Sequence, residues 1–298
     1  MTIALRILVS DGAVLATDSA ATIMGADASG RQVVYNVYNN ANKVFNLYKG
    51  LPIGMATWGI GNLGAYSIST LVKDFRRLLK DGDPSRRIDP TSYTIEEVAH
   101  KLAQYVYRDH YAPMYAGKQG SVELGLAVVG YSSKSDFAEE WKVAMDGAGC
   151  HGPEVTRPAG EMGMQFDGQP ELICRICNGV SLNLPGVLME LGLDLQQAQE
   201  TDRACRTKLQ APLVVPSMSI QDVIDVADYL VSCTIGYARF MPGPDTVGGP
   251  VEIAAITKHE GFKWVKRKHY FSMELNSGKE EWLCSAQTPV TREESSSQ

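Results

Sequence analysis

The first eighteen residues constrain the fold more than any other part of the chain. Apolar side chains occupy every second position of the opening run, at Ile3, Leu5, Ile7 and Val9. An Asp11-Gly12 pair then separates this run from a second apolar run at residues 14–16. An Asp-Gly pair between two apolar runs is typical of a tight β-hairpin. The chain is therefore predicted to open with two antiparallel strands.

Further strands and helices follow in groups along the chain. Strands are predicted at 43–47, 52–57, 123–131, 140–145, 251–257 and 262–266, and helices at 62–79, from Thr94 and from Ser219. A Gly- and Pro-rich segment, 147–168, follows the middle strands. Antiparallel sheets must bury a face against another layer, and helices supply that layer. This order predicts an α+β fold, a four-layer αββα sandwich of antiparallel sheets.

The chain is predicted to form a single domain, residues 1–284, with an inserted excursion at about 179–216. A chain of 298 residues can bury about three quarters of the surface that its unfolded form exposes. Residues 285–298 form a polar tail with nothing to pack against. We expect this tail to be disordered.

The charge balance argues against some classes of partner. Lys and Arg total 28 and Asp and Glu total 34, which gives a net charge of -6 at pH 7. Nucleic acid and anionic membrane surfaces need a basic face, so neither is predicted as a partner. The chain has no uninterrupted apolar run of about 18 residues and no secretory signal, so we expect a cytoplasmic protein.

The six cysteines are expected to be reduced thiols in that compartment. Cys174 and Cys177 have the spacing of half a zinc site, but no second pair follows them. The preferred interpretation is that they are small buried hydrophobic residues. No metal and no cofactor is expected.

Thr2 is the candidate catalytic residue at the start of the chain. Removal of Met1 would give this residue both a nucleophilic hydroxyl and a free α-amine. A hydroxyl is a weak nucleophile at neutral pH and needs an adjacent base, and the α-amine can serve as that base. Taken alone, a threonine at position 2 is more simply explained as a small residue that permits methionine removal.

Thr2 and three longer segments together resemble the proteasome β-subunit and HslV family of N-terminal-nucleophile hydrolases. The segments read DGAVLATDSAAT (11–22), NKVFNLYKGLPIGMATWGIGN (42–62) and DTVGGPVEIAAIT (245–257). The resemblance covers residues 2–75 and 219–264. It is strongest toward the bacterial proteasome homologue, with Anbu-like features at 163–170 and 247–250. Its specificity rests on the ordered spacing of the segments.

The resemblance implies a role for each matching residue. Thr2 matches the nucleophile, Asp18 its acidic partner and Lys43 the catalytic lysine. An ammonium near the α-amine would disfavour a second positive charge there. Gly59 matches the position whose backbone N–H forms the oxyanion hole, where the lack of a side chain lets a donor approach closely. The residues that match substrate-contacting positions are Ala21, Thr22, Phe45, Thr57 and Gly61.

These residues have simpler explanations when each is taken singly. Asp18 fits a turn cap, and Lys43 fits a solvated cation at the end of a strand. Gly59 and Gly61 fit loop glycines. The catalytic interpretation rests on all of them standing together, in this order and spacing.

Two accessory serines of the family pattern are missing. In the segment that should read D-x-x-S-G-G, Asp245 keeps the acid, but Gly248 stands where the serine is expected. The other serine should fall near 160–168, which contains no serine. The hydroxyl network that orients the nucleophile is therefore incomplete, or Thr246 or Asp167 supplies it.

The resemblance implies a threonine-type endopeptidase that hydrolyses peptides or unfolded proteins. It also implies a homo-oligomeric ring assembly, with stacked heptamers enclosing the active sites and a ring ATPase as a possible activator. Two alternatives stay open. A catalytically weak or inactive structural ring subunit fits the missing serines, and a small-molecule amidase would use the same N-terminal chemistry.

Overall fold

Two five-stranded antiparallel sheets form the centre of the part of the chain that the computed structural model describes, residues 2–27, 31–118 and 122–268. The strands are β1 (Ile3–Val9), β2 (Gly12–Thr17), β3 (Ala21–Ala26), β4 (Gln32–Tyr38), β5 (Val44–Asn46), β6 (Ile53–Gly59), β7 (Asn62–Leu63), β8 (Tyr66–Ser67), β9 (Leu124–Gly130), β10 (Glu139–Asp146), β11 (Gly149–Arg157), β12 (Gly163–Gly168), β13 (Glu252–Thr257) and β14 (Gly261–Lys266). The first sheet has the order β12-β1-β2-β13-β14, and the second has the order β11-β10-β9-β6-β5. Strands β3 and β4 form a separate ribbon, as do β7 and β8.

The helices begin at residues that can cap them. They are α1 (Ile68–Asp81), α2 (Ile95–Ala103), which continues as a π-helical segment (Gln104–Tyr111), α3 (Ala112–Tyr115), α4 (Glu171–Asn178), α5 (Leu184–Glu190), α6 (Leu195–Lys208) and α7 (Ile220–Phe240). Thr94 and Ser219 cap α2 and α7, because each side chain accepts a hydrogen bond from the amide three residues later. Both helices therefore begin at the residues that the sequence predicts. None of the helices in the described ranges has the length and apolar character needed to cross a bilayer.

Three hydrophobic clusters join the sheets and helices. One includes Phe75 and Leu126 and lies between the second sheet and helices α1 and α2. Another includes Leu230 and lies between the first sheet and helices α4 and α7. The third contains residues of both sheets, among them Leu15 and Val129. The mixture of helices with antiparallel sheets that the sequence predicts is confirmed.

The predicted hairpin is formed by β1 and β2, and both of its faces are buried. The register pairs Val9 with Gly12, so the turn consists of Ser10 and Asp11 and lies one residue before the predicted Asp-Gly pair. Every residue of the two strands is buried. The alternating pattern accounts for one buried face, which meets α7 through Leu5 and Ile7. The other face is buried because Leu8 packs toward the second sheet.

Some elements differ from the sequence-based prediction. Helix α1 begins only at Ile68, because Ser67 caps it there, and residues 62–67 instead form the ribbon of β7 and β8. The Gly- and Pro-rich segment 147–168 contains β11 and β12. The ribbon of β3 and β4 was not predicted, since a register shift between Ile23 and Met24 interrupts its alternation.

The predicted excursion, 179–216, contains helices α5 and α6. The neighbouring helix α4 carries Cys174 and Cys177, both buried free thiols. Burial raises the pKa of Cys177 to about 11, which keeps it protonated at neutral pH. Within the described ranges, no three His, Cys, Asp or Glu side chains form a group that could hold a metal ion. The predicted tail, 285–298, lies outside the described residues, and the single-domain boundary stays a prediction.

Candidate active site

Asp18 is a fully buried carboxylate that joins several segments of the chain. One oxygen, Oδ1, accepts hydrogen bonds from the amide of Ile3 at 3.0 Å and from Nζ of Lys43 at 2.7 Å. The other oxygen, Oδ2, accepts from the amides of Ala20 and Gly248, both at 3.0 Å. A buried charge is stable only when it is paired and hydrogen-bonded. These four donors satisfy that condition for the carboxylate.

Lys43 reaches Asp18 from the position immediately before β5. Its side chain is only 7% exposed. Its carbonyl accepts a hydrogen bond from the amide of Thr57 at 3.0 Å, which extends the pairing of β5 with β6 by one residue. The backbone pairing therefore fixes the position of the Lys43 backbone, and the salt bridge fixes the position of its Nζ. The structure brings together two of the predicted site residues.

Gly59 is the last residue of β6, and its amide points toward the edge of β6 on which Lys43 lies. Backbone amides of an antiparallel strand alternate between its two edges. The Thr57 amide donates to Lys43, and the Ile60 amide donates to Glu123 on the opposite edge. The Gly59 amide therefore faces the Lys43 edge. Gly59 has a φ of +92°, and a Cβ here would overlap the carbonyl of Glu123, so the backbone requires glycine.

Thr2 is buried beside the end of β12. Its carbonyl accepts a hydrogen bond from the amide of Gln169 at 2.7 Å. The next amide along the chain, that of Ile3, is bound to Asp18. Gly168 has a φ of +95°, and a Cβ at this position would overlap the carbonyl oxygen of Thr2. The position of Thr2 thus depends on the close approach of a glycine backbone.

Replacing Gly168 by alanine should displace Thr2 and lower the free energy of unfolding. The loss should exceed the roughly 1–3 kcal/mol that a non-glycine residue costs at positive φ. Gly50→Ala is the matched control, because Gly50 has a φ of +90° but nothing within 4 Å of an added Cβ. Urea unfolding measures the stability of both variants. Only Gly168→Ala should also slow the reaction of an electrophile with Thr2. Equal reaction rates for the two variants would show that Gly168 does not position Thr2.

A second group of buried charges lies next to this site, and we call it the Arg6 cluster. Arg6 on β1 donates to Oε1 of Glu140 through Nε at 3.2 Å and Nη2 at 2.9 Å. Its Nη2 also lies 2.6 Å from Oδ2 of Asp167, and Lys142 binds Oδ1 of Asp167 at 2.8 Å. The ring of Trp58 lies 5.1 Å from Cζ of Arg6 and 5.4 Å from Nζ of Lys142. Both distances are within cation–π range.

The Arg6 cluster connects β1, which begins beside Thr2, with β6, which ends at Gly59. Burial by itself lowers the pKa of Arg6, but the neighbouring carboxylates outweigh it and the pKa is raised. Burial raises the pKa of Asp167, but Arg6 and Lys142 together outweigh burial and the pKa is lowered. Glu140 is fully buried, and its Oε2 has no hydrogen-bond partner among the described residues. Its Oε1 accepts hydrogen bonds from Arg6 and from the hydroxyl of Thr156.

Four of the five residues predicted to contact substrate lie on the strands that follow Asp18 and Lys43. Phe45 and Thr57 are buried on the paired strands β5 and β6. Ala21 and Thr22 begin β3, directly after the segment that carries Asp18. Gly61 is exposed beyond the end of β6, and nothing lies within 4 Å of an added Cβ there. Their predicted contacts with substrate stay predictions.

Asp245 is the remaining residue with a predicted catalytic role, and that role stays a prediction. It is exposed in the loop before β13 and is not among the hydrogen-bond partners of Asp18 that the structure describes. The loop contributes Gly248 instead, through its backbone amide, at the place where the family pattern has a serine. Of the two residues considered as replacements for the missing hydroxyl, Asp167 belongs to the Arg6 cluster. Thr246 is buried in the same loop as Gly248.

Sequence reasoning missed the Arg6 cluster and the Gly248 amide. One signal for the cluster was present, because Arg6 is the only charged residue within the apolar run of residues 3–9. A lone arginine in a strand that is buried on both faces requires a carboxylate partner. No local pattern identifies Glu140 as that partner, because 134 positions separate the two residues. A backbone donor such as Gly248 leaves no side-chain signal at all.

One solved structure among the comparisons with known proteins supports the fold. No protein-family model matches the chain, and no curated protein matches it. Among solved structures, a Gly-1 mutant of Anbu from Hyphomicrobium sp. strain MC1 matches with a TM-score of 0.51 at 10% identity, covering 99% of this chain and 100% of its own. Anbu (ancestral beta-subunit) from Yersinia bercovieri matches with a TM-score of 0.44 at 14% identity, covering 97% and 99%. The helical assembly of the Anbu complex from Pseudomonas aeruginosa matches with a TM-score of 0.47 at 11% identity, covering 97% and 98%.

At these identities the likeness concerns the fold alone. It agrees with the Anbu-like features that the sequence suggested. The assignment to the proteasome β-subunit and HslV family, and the closeness to the bacterial proteasome homologue, stay predictions.

Proposed function

We propose that this chain is a subunit of a self-compartmentalised protease of the proteasome type, with Thr2 as its nucleophile once Met1 is removed. The observation that carries the proposal is the shared oxygen of Asp18, which binds both the amide next to Thr2 and the ammonium of Lys43. One carboxylate thus holds both the start of β1, directly after the nucleophile, and the buried cation. An ammonium held there disfavours protonation of a nearby α-amine, which suits an amine that acts as a base.

The proposed reaction is the hydrolysis of a peptide bond through an acyl-enzyme. The hydroxyl oxygen of Thr2 attacks the carbonyl carbon while its own α-amine accepts the hydroxyl proton. The backbone N–H of Gly59 stabilises the oxyanion that forms. The α-amine returns the proton to the leaving amine as the peptide bond breaks. Water then attacks the ester, with the same amine as base, and restores the hydroxyl.

The proposal assigns substrate contacts to residues near the nucleophile. Ala21, Phe45 and Thr57 form the walls of the first specificity pocket, which fits the burial of Phe45 and Thr57 on adjacent strands. Thr22 and Gly61 bind the backbone of the peptide. The open space above Gly61 is consistent with an approaching chain.

The proposal includes a four-layer αββα sandwich that assembles into homo-oligomeric rings. Hydrophobic clusters between the two sheets and between each sheet and its helices support the layering. The ribbon of β3 and β4 supports assembly, because it exposes Ile23, Met24, Tyr35 and Tyr38. An isolated two-stranded ribbon is marginally stable in water and gains stability when a neighbour covers it. Light scattering tests this: a monomer at micromolar concentration would exclude the rings. Stacked heptamers, a ring ATPase and a cytoplasmic location stay predictions of the resemblance.

Replacing Thr2 by alanine should abolish hydrolysis of fluorogenic peptides, with a fall of about 10³-fold or more, because the nucleophile is lost. Thr2→Ser is the control, since it keeps a hydroxyl beside an α-amine, and it should retain measurable activity. Both variants require mass spectrometry to show that residue 2 is the first residue. Activity of Thr2→Ala equal to that of the unmodified chain would remove Thr2 from the mechanism.

A ring subunit without hydrolytic activity is the alternative that one observation favours. Gly248 supplies only a backbone donor where the family pattern has a serine hydroxyl. An intact chain that begins at Thr2, assembles and cleaves no peptide from a diverse library would favour this alternative.

A further inference from the structure

A cavity of about 300 Å³ lies on the side of the molecule where each of the two sheets ends. Its walls come from β5, the last strand of the second sheet, from β14, the last strand of the first sheet, and from helix α1. Phe262 and Trp264 on β14 pack edge to face, with ring centres 5.2 Å apart, and contribute an aromatic wall.

Four cationic side chains line this cavity. Lys49 comes from the turn after β5, Lys73 and Arg76 lie one turn apart on α1, and Arg267 follows β14. No carboxylate is among the lining residues. Within the described ranges, none of the four cations forms an ion pair with an acidic side chain.

This concentration of positive charge is unusual for the chain that contains it. The net charge of the whole chain is -6, so the surface is acidic on average. Like charges one turn apart on a helix, such as Lys73 and Arg76, destabilise the helix slightly. Side chains that repel one another without a carboxylate between them are stabilised by an anionic ligand. The cavity therefore has the electrostatic character of an anion site.

We propose that this cavity binds an oligophosphate group, either inorganic or part of a nucleotide. A phosphoryl group carries about -1.5 to -2 charges, so two or three linked groups balance four cations within a small volume. Arg76 and Arg267 supply planar forks that suit phosphate oxygens, and the lysines supply compact charges. The Cζ of Arg267 lies 4.7 Å from the centre of the Trp264 ring, which helps to hold this guanidinium in place.

The size of the cavity favours an oligophosphate over an acidic peptide. A sphere of 300 Å³ is about 8 Å across. Successive residues of an extended peptide advance about 3.3–3.6 Å each, so four carboxylates spread over more than about 10 Å. Three linked phosphates are more compact. The site does not depend on Thr2 chemistry, although Asn42 and Val44, which flank Lys43, also line it. Phe45, which the proposed function places in the first specificity pocket, lines it as well.

Isothermal titration of the full chain with inorganic tripolyphosphate and, separately, with ATP tests the proposal, and tetraglutamate is the peptide comparison. We expect saturable binding of one molecule per chain. Arg76→Gln and Lys73→Gln should each weaken binding by about tenfold or more, the effect of losing a charge-assisted hydrogen bond. Equal affinities for the two ligands would show that the phosphate chain alone is recognised. Tighter binding of ATP would show that the base adds contacts, and both results support the site.

Arg77→Gln is the matched control, because Arg77 is next to Arg76 but lies near Asp74, at 3.7 Å, and does not line the cavity. It removes the same charge and should change the affinity less than twofold. Lys73 is exposed, so Lys73→Gln keeps the test valid if Arg76→Gln fails to fold. Three results would overturn the proposal. They are no binding at millimolar ligand, equal weakening by Arg77→Gln, and tighter binding of tetraglutamate than of tripolyphosphate.

Discussion

Replacing Lys43 by alanine is expected to lower the rate of peptide hydrolysis by about 10²- to 10⁴-fold, the usual contribution of a group that assists proton transfer. The ammonium lies 2.7 Å from the oxygen of Asp18 that also binds the amide beside Thr2. Without it, the α-amine loses the neighbouring charge that disfavours its protonation. The effect should appear in kcat more than in KM, because the proposed role is in the chemical step. Rates measured with a fluorogenic peptide give both constants.

Two further variants separate this role from general effects of charge and stability. Lys43→Arg keeps the positive charge beside Asp18 but places it differently, so it should fold well and still hydrolyse slowly. Lys134→Ala removes an exposed lysine and should leave the rate unchanged. If Lys43→Ala, correctly folded and assembled, cleaves at the original rate, the proposed role of Lys43 is wrong.

Replacing Arg6 by methionine is expected to lower the free energy of unfolding by about 3–5 kcal/mol, the usual effect of removing one partner of a buried ion pair. The side chain is 1% exposed, and it compensates the charge of Glu140, which is fully buried. Methionine fills much of the volume but leaves that carboxylate without its cation. Urea unfolding at fixed protein concentration measures the change.

A double variant tests whether the uncompensated charge causes this loss. Arg6→Met combined with Glu140→Met removes both charges, so it should be more stable than Arg6→Met alone. The exposed pair of Lys258 and Asp136 provides the surface comparison, and Lys258→Met should barely alter the unfolding curve. A double variant less stable than Arg6→Met would contradict the electrostatic explanation and would point to packing instead.

The sequence predicts the local elements well because their signals are local. The hairpin of β1 and β2, the Thr94 cap and the Ser219 cap each involve only a few neighbouring residues, and the structure has all three elements. The hairpin turn lies at Ser10 and Asp11, one residue before the predicted pair. The ordered spacing of Asp18 and Lys43 also anticipates their contact. In that case the information came from a resemblance over several segments, because neither residue alone indicates a partner.

The remaining features depend on contacts between distant parts of the chain. The carboxylates that bind Arg6 lie on strands more than a hundred residues away. Pairing of β12 with β1 brings Asp167 to Arg6, and packing of the two sheets brings Glu140. The contact between Asp18 and the loop that contains Asp245 could not be predicted, for a similar reason. The loop approaches Asp18 through the amide of Gly248, and a backbone donor can come from any residue type.

The measurement that tests the central claim most directly is the location of a covalent adduct on a chain shown by mass to begin at Thr2. A peptide epoxyketone can capture a hydroxyl and the adjacent α-amine in one ring, so it reports both groups at once. Digestion and tandem mass spectrometry should place the adduct on Thr2, with both its oxygen and its nitrogen modified. An adduct confined to another residue, or no adduct on the folded and assembled chain, would contradict the proposed N-terminal nucleophile.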